Sequence, residues 1–178
     1  MVNKMRNKAS AQSLVELVNA TSATDIRMVE VGSYAGESAE VFASLPQVKE
    51  IWCVDPWKSG YDPHDITSST DFTEAEAAFD AMAAKHQDKV RKFKGTFQEF
   101  REAHPDMRPD LVYIDAEHTY EACFKDISTA LEMKIRIISG HDYVQGEWVG
   151  VKKAVNDLLG TPDRVFSDRS WLKIMPQN

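Results

Sequence analysis

The sequence has few cysteines, no long apolar run and no excess of basic charge, and each shortage removes a class of function. The two cysteines, Cys53 and Cys123, stand alone in apolar or helical surroundings. There is no Cys-x-x-Cys spacing for zinc or a redox pair, and both read as buried, reduced thiols. No apolar stretch approaches the roughly 18 residues of a membrane span. The opening Met1–Arg6 is not followed by the apolar segment of a signal peptide, so a cytoplasmic location and no membrane partner are expected. With 28 acidic against 21 basic residues, the formal charge is -7, which disfavours nucleic acid and favours small-molecule partners. Internal repeats, low-complexity tracts and a second-domain linker are also missing. One domain over residues 1–178 is expected, with residues 1–9 as a flexible tail.

What is present is an alternation. Apolar runs suited to buried strands recur at Ile26–Val31, Ile51–Val54, Val90–Phe93, Leu111–Ile114 and Ile135–Ser139. Helix-period segments fall before and between them at Ser10–Asn19, Glu37–Ser44, Thr73–His86, Phe97–His104, Tyr120–Met133 and Val149–Leu159. Thr73 with Glu76 has the spacing of a capping box. Arg164–Ser167 and Trp171–Ile174, separated by three residues, predict a hairpin. The fold class is therefore α/β: a Rossmann-like, doubly wound, mostly parallel sheet of five parallel strands plus a C-terminal antiparallel hairpin, seven strands in all, with helices on both faces. The Pro56–Phe72 stretch breaks the rhythm and reads as a long functional loop.

Open sheets of this class bind ligands beyond the carboxyl ends of their strands. The first strand runs into Gly32-Ser33-Tyr34-Ala35-Gly36-Glu37-Ser38 before a helix begins, and its two glycines permit a sharp turn with close backbone approach to a ligand. The second strand ends in Asp55, where a carboxylate can accept hydrogen bonds from both hydroxyls of a ribose. A nucleoside cofactor fits this spacing. The simpler alternative is a tight turn at Gly32 and Gly36, with Asp55 merely capping the strand before Pro56. The Gly-x-x-x-Gly spacing fits the dinucleotide fingerprint less well, which argues against a nicotinamide cofactor.

Strand four ends in Asp115 with His118 three residues on, and strand five ends in His141-Asp142. Neighbouring strand ends bring these groups to one edge, where carboxylates and imidazole can bind a hard divalent cation such as magnesium. An imidazole there can also take the proton of an acceptor hydroxyl. The bland alternative has Asp115 touching only a cofactor amino group while His118 caps the next helix.

Glu30–Ser38 resembles the Glu-x-Gly-x-Tyr-x-Gly-x-Ser loop of class I S-adenosylmethionine-dependent methyltransferases of the catechol and caffeoyl-CoA O-methyltransferase type. Val54–Trp57, Tyr113–Tyr120 and Gly140–Tyr143 are similar to a small bacterial and viral branch related to macrolide-sugar O-methyltransferases. The resemblance runs from Ile26 to the end. It implies a metal-assisted O-methyltransferase in which Gly32, Tyr34, Gly36 and Ser38 line the methionine end of S-adenosylmethionine. Glu30 would orient the amino-acid portion, Asp55 hold the ribose, Thr96 lie near the adenine, and Asp115 contact the donor. It further implies metal ligation by Asp115, His141 and Asp142 and a general base at His118. Relatives carry an acidic residue where this chain has His141, so Asp142 transfers better as a ligand. A Pro-Gly-Gly turn before strand five is replaced by Glu132-Met133-Lys134. The longer N-terminal helices that cover the acceptor in many relatives are missing, which leaves that task to residues 57–72, residues 143–148 or a partner subunit in a homo-oligomer.

Trp57, Tyr61, Tyr143 and Trp148 are candidates either for an aromatic acceptor wall or for packing anchors. His64, His86 and His104 read as solvated. Two other readings stay open: a metal-free methyltransferase with His118 as base and an oxygen or nitrogen acceptor, and a cofactor-binding sensor or subunit without transfer activity.

Overall fold

The computed structural model describes residues 7–59, 71–146 and 149–176. Seven strands form one sheet in the order β3-β2-β1-β4-β5-β7-β6. They are β1 (Ile26–Val31), β2 (Val48–Asp55), β3 (Val90–Lys94), β4 (Leu111–Ile114), β5 (Ile137–Gly140), β6 (Arg164–Val165) and β7 (Trp171–Ile174). The first five are parallel, while β7 runs antiparallel to both β5 and β6. The fold is the α/β class expected, with strand order reversing between β1 and β4.

Among the described residues, six α-helices cover the sheet: α1 (Lys8–Ala20), α2 (Glu37–Ser44), α3 (Phe72–Ala83), α4 (Phe97–Ala103), α5 (Tyr120–Glu132) and α6 (Val149–Leu159). Strand alternation divides the core in two. Ile26, Met28, Leu111 and Tyr113 face a cluster containing Leu14, Leu17, Phe42 and Phe79 from α1, α2 and α3. Val29, Val31, Val112 and Ile114 face one containing Phe97, Phe100, Ile127 and Val155 from α4, α5 and α6. Burial on both faces explains why these strands read as unbroken apolar runs.

Local chemistry sets the ends of the helices. The expected tail is already helical from Lys8, because Asn7 accepts from the Ala9 and Ser10 amides. The expected Thr73–Glu76 capping box does not form. Asp71 caps α3 by accepting from the Thr73 amide, and Glu76 instead reaches Lys92 at 2.8 Å and Lys94 at 2.6 Å. The reciprocal capping box lies at Thr96 and Glu99, opening α4. Lys134 adopts a φ of 59°, the left-handed geometry that a glycine-rich turn would supply before β5. His104 is not solvated as expected, since its ring lies 4.5 Å from that of Phe100 and 4.8 Å from that of Trp52. Both cysteines are buried, as expected.

Candidate functional site

The strand reversal places the carboxyl ends of β1 and β4 side by side, and the loop after β1 is built against β4. Gly32 has a φ of +88°, and its amide donates to Val54 O at 2.8 Å. A β carbon there would meet the Asp115 carbonyl oxygen at 2.1 Å. Gly36, at φ +85°, lies where a β carbon would meet Met82 Cε at 2.5 Å. Gly32 is thus demanded by the protein's own packing as well as by the turn, whereas at Gly36 the positive φ makes the demand and the flexible Met82 side chain can give way.

Asp55, at the end of β2, organises the same loop. Its Oδ2 accepts from the Tyr34 amide at 2.8 Å and its Oδ1 from the Trp57 amide at 2.6 Å. Burial raises its pKa, against the pull of these two backbone bonds. Trp57 is a packing anchor: it is buried, its indole donates to Tyr34 O at 2.7 Å, and its ring meets Phe79. The Tyr34 ring packs edge-on against Phe72, and Ser38 is buried in the first turn of α2. Glu30 is fully buried opposite Cys53 on β2, where burial and then the Glu30 charge push the Cys53 thiol up. Exposed Thr96 follows β3, beside the end of β2, where the Gly95 amide donates to Asp55 O.

The second half of the site lies at the ends of β4 and β5. Asp115, His118 and Asp142 offer ligand atoms that all lie within 4.8 Å of one another, the metal-suited group found among the described residues. His118 does not cap α5; Thr119 does. Instead, His118 Nε2 stands 3.0 Å from Asp142 Oδ2. His141 Nδ1 meets the same oxygen at 2.9 Å and lies 3.8 Å from Asp115 Oδ1. His141 is outside the group of three, and its Nε2 faces Asp168 Oδ2 at 3.8 Å. Burial opposes ionisation of Asp142, but the bonds from His118 and His141 prevail and hold its carboxyl well below the usual carboxylate range. A cleft lined by Asp115, Ala116, Glu117, His118, His141 and Trp171 opens here.

Asp168 escaped the reading of the sequence, because no local spacing connects a residue of the β6–β7 turn with the end of β5. Tyr143 donates its hydroxyl to Asn156 Oδ1 at 2.8 Å. Tyr61, His64 and Trp148 lie outside the described residues.

Such an arrangement pairs a close-packed glycine loop and a strand-end carboxylate with a carboxylate–imidazole cluster, which suits transfer of a group from a bound nucleoside to an acceptor. Residues 29–143 match the methyltransferase-domain family, a span that includes Gly32, Asp55, Asp115, His118 and Asp142. No curated protein sequence matches the chain significantly. Among solved structures, cofactor-bound Rv0187 from MTB is similar at 18% identity and a TM-score of 0.69, over 100% of this chain and 84% of that one. TomG, an O-methyltransferase of tomaymycin synthesis from Streptomyces achromogenes in complex with SAM, is similar at 13% identity and a TM-score of 0.63, over 96% and 82%. CalS11, a TDP-rhamnose 3'-O-methyltransferase of calicheamicin biosynthesis, is similar at 14% identity and a TM-score of 0.64, over 96% and 82%. With the family matched over more than half its length, the chain belongs to the methyltransferase-domain family and is an enzyme of the class I, S-adenosylmethionine-dependent methyltransferase fold.

Proposed function

We propose that this methyltransferase acts on a hydroxyl group of a small molecule or sugar, with S-adenosylmethionine as donor and a divalent cation assisting. The observation that carries the reading is the convergence of Asp115, His118 and Asp142 beside the Gly32–Ser38 loop. The donor set is of hard oxygen and imidazole nitrogen, which suits magnesium or a similar ion. Asp55 suits a ribose: each of its oxygens accepts one backbone amide, and a carboxylate oxygen can accept two bonds. Gly32, Tyr34 and Ser38 would hold the methionine end with Gly36 in the same cofactor-binding loop, Glu30 would orient the amino-acid portion, Thr96 would flank the adenine and Asp115 would meet the amino group.

S-adenosylmethionine supplies the sulfonium methyl, and the cation supplies Lewis acidity that acidifies the acceptor hydroxyl. Asp115 and Asp142 would hold the cation, and His118 would take the hydroxyl proton at Nδ1, since its Nε2 donates to Asp142. A carboxylate bonded to an imidazole stabilises the charge that arrives with that proton, and Asp142 occupies this position. The cluster also aligns the acceptor oxygen with the donor methyl.

A sugar or other small acceptor is supported by the substrate of CalS11. The net charge of -7 argues for such a partner over nucleic acid, and no helix among the described residues is long and apolar enough to cross a membrane. A cytoplasmic, homo-oligomeric enzyme belongs to the same reading.

One observation favours a metal-free variant. His118 and Asp142 already form a 3.0 Å pair, a complete base on its own. The test is calorimetric titration with S-adenosylhomocysteine, together with labelled methyl transfer to a panel of sugars, phenols and amines, with magnesium and then with EDTA. The cation-assisted reading expects donor-product binding to survive chelation and hydroxyl methylation to stop. Turnover that persists in EDTA would favour the metal-free variant, and methylation confined to amines would overturn the hydroxyl acceptor.

A further inference from the structure

Asp142 meets two imidazoles through one oxygen, and the second of these, His141, has a carboxylate on its far side. That carboxylate belongs to Asp168, in the turn between β6 and β7, whose side chain is only 4% exposed. The turn is stitched to the end of β5. Gly140 pairs with Trp171, the Trp171 indole donates to His141 O at 3.1 Å, and the Tyr143 amide donates to Arg169 O at 3.1 Å. Inside the turn, Asp168 Oδ1 accepts from the Ser170 amide and Oδ2 from the Ser170 hydroxyl, both at 2.9 Å. That hydroxyl spends its proton on Asp168, so the 3.0 Å contact with Tyr113 on β4 has the tyrosine donating. Ser170 and Tyr113 are both fully buried, which gives Asp168 little freedom to move.

We propose that Asp168 is a positioning residue that fixes the His141 ring, and through it the orientation of the Asp142 carboxylate shared with His118. A buried carboxylate is costly unless partnered, and His141 Nε2 faces it at 3.8 Å. With Nε2 held towards Asp168, Nδ1 is aimed at Asp142 Oδ2, 2.9 Å away. Ionised carboxylates only accept, so Nδ1 donates to Asp142 and it is a proton on Nε2 that faces Asp168. Both imidazoles then meet Asp142 at Oδ2. The C-terminal hairpin thereby reaches the reacting edge through an Asp168–His141–Asp142–His118 series.

A turn-holding role alone makes a different forecast. Asn at 168 keeps an amide oxygen for the Ser170 amide and so keeps the turn, while removing the charge that faces His141. The test is nitrogen-15 NMR of the histidine rings in the full chain without added metal. In the wild type, we expect His141 to show one ring state with a slowly exchanging Nδ1 proton. In Asp168→Asn, that proton exchanges at least tenfold faster and the His118 ring signals shift with it, while the backbone spectrum away from the hairpin is unchanged. Ring signals of His141 and His118 identical in wild type and Asp168→Asn overturn the proposal. If the variant does not fold, the wild-type spectrum decides: a His141 ring averaging between tautomers overturns the proposal, and a single ring state with a protected Nδ1 proton supports it.

A second readout rests on the cation reading above. Manganese affinity should fall about tenfold in Asp168→Asn, the lower end of the effect of a residue that orients a ligand, with S-adenosylhomocysteine affinity within twofold. Unchanged manganese affinity overturns the transmission to Asp142. A wild type that binds no manganese removes the cation reading but leaves the ring spectra to decide the role of Asp168.

Discussion

A β carbon on Gly32 would lie 2.1 Å from the carbonyl oxygen of Asp115. The Gly32–Ser38 loop and the carboxylate–imidazole edge are therefore one packed unit. Gly32→Ala adds this backbone clash to a φ of +88° that L side chains rarely adopt. We expect a loss of about 2 kcal/mol or more, and weaker binding of S-adenosylhomocysteine and manganese together. Thermal unfolding and calorimetry check it; a wild-type melting temperature would show that the loop is not locked to β4.

Asp55 should matter to the loop before it matters to a ligand. Asp55→Asn sets an amide N–H₂ against one of the two backbone donors, Tyr34 or Trp57. A lost buried bond of this kind costs about 1–3 kcal/mol. The expected result is a lower melting temperature even without ligand, together with at least tenfold weaker S-adenosylhomocysteine binding. Weaker binding at unchanged stability would assign Asp55 to the ribose alone.

With Nε2 donating to Asp142, His118 can serve the cation or the proton with Nδ1, but not both at once. His118→Ala should abolish methyl transfer while manganese affinity falls less than tenfold, because Asp115 and Asp142 remain. A loss of manganese binding comparable to that in Asp142→Ala would make His118 a ligand. Calorimetry and labelled transfer separate the two outcomes.

Asp126, on α5, gives a pH signature of its own. Burial pushes its pKa from the ordinary 3.8 up to about 6, against a 2.8 Å bond from Gln98. The folded state holds this proton more tightly than the unfolded state, so the stabilisation is complete below pH 4 and is lost as pH rises through 6. The shift corresponds to about 3 kcal/mol. Asp126→Asn should therefore gain on the wild type between pH 4 and pH 7 in denaturant melts; a constant difference between the two proteins would refute the assignment.

Strands and helices were readable because burial on both faces leaves unbroken apolar runs, and because glycine and proline punctuate the chain. Ile26–Val31, Leu111–Ile114 and Trp171–Ile174 are found with the bounds the pattern predicts. Helix starts were less legible. Thr73–Glu76 and Thr96–Glu99 have the same spacing, yet only the second forms a box, since Lys92 and Lys94 on the neighbouring strand draw Glu76 away.

The sequence by itself determined the α/β class, the glycine loop beside Asp55, and the gathering of Asp115, His118, His141 and Asp142 at one sheet edge. Each follows from strand ends, and strand ends are written locally in apolar periodicity and glycine spacing. Only the tertiary structure decided how those groups divide. It put His118 with Asp115 and Asp142, turned His141 towards Asp168, and made Gly32 a contact surface for β4. Those outcomes depend on β7 lying antiparallel against β5, and on distances between residues that no local pattern connects.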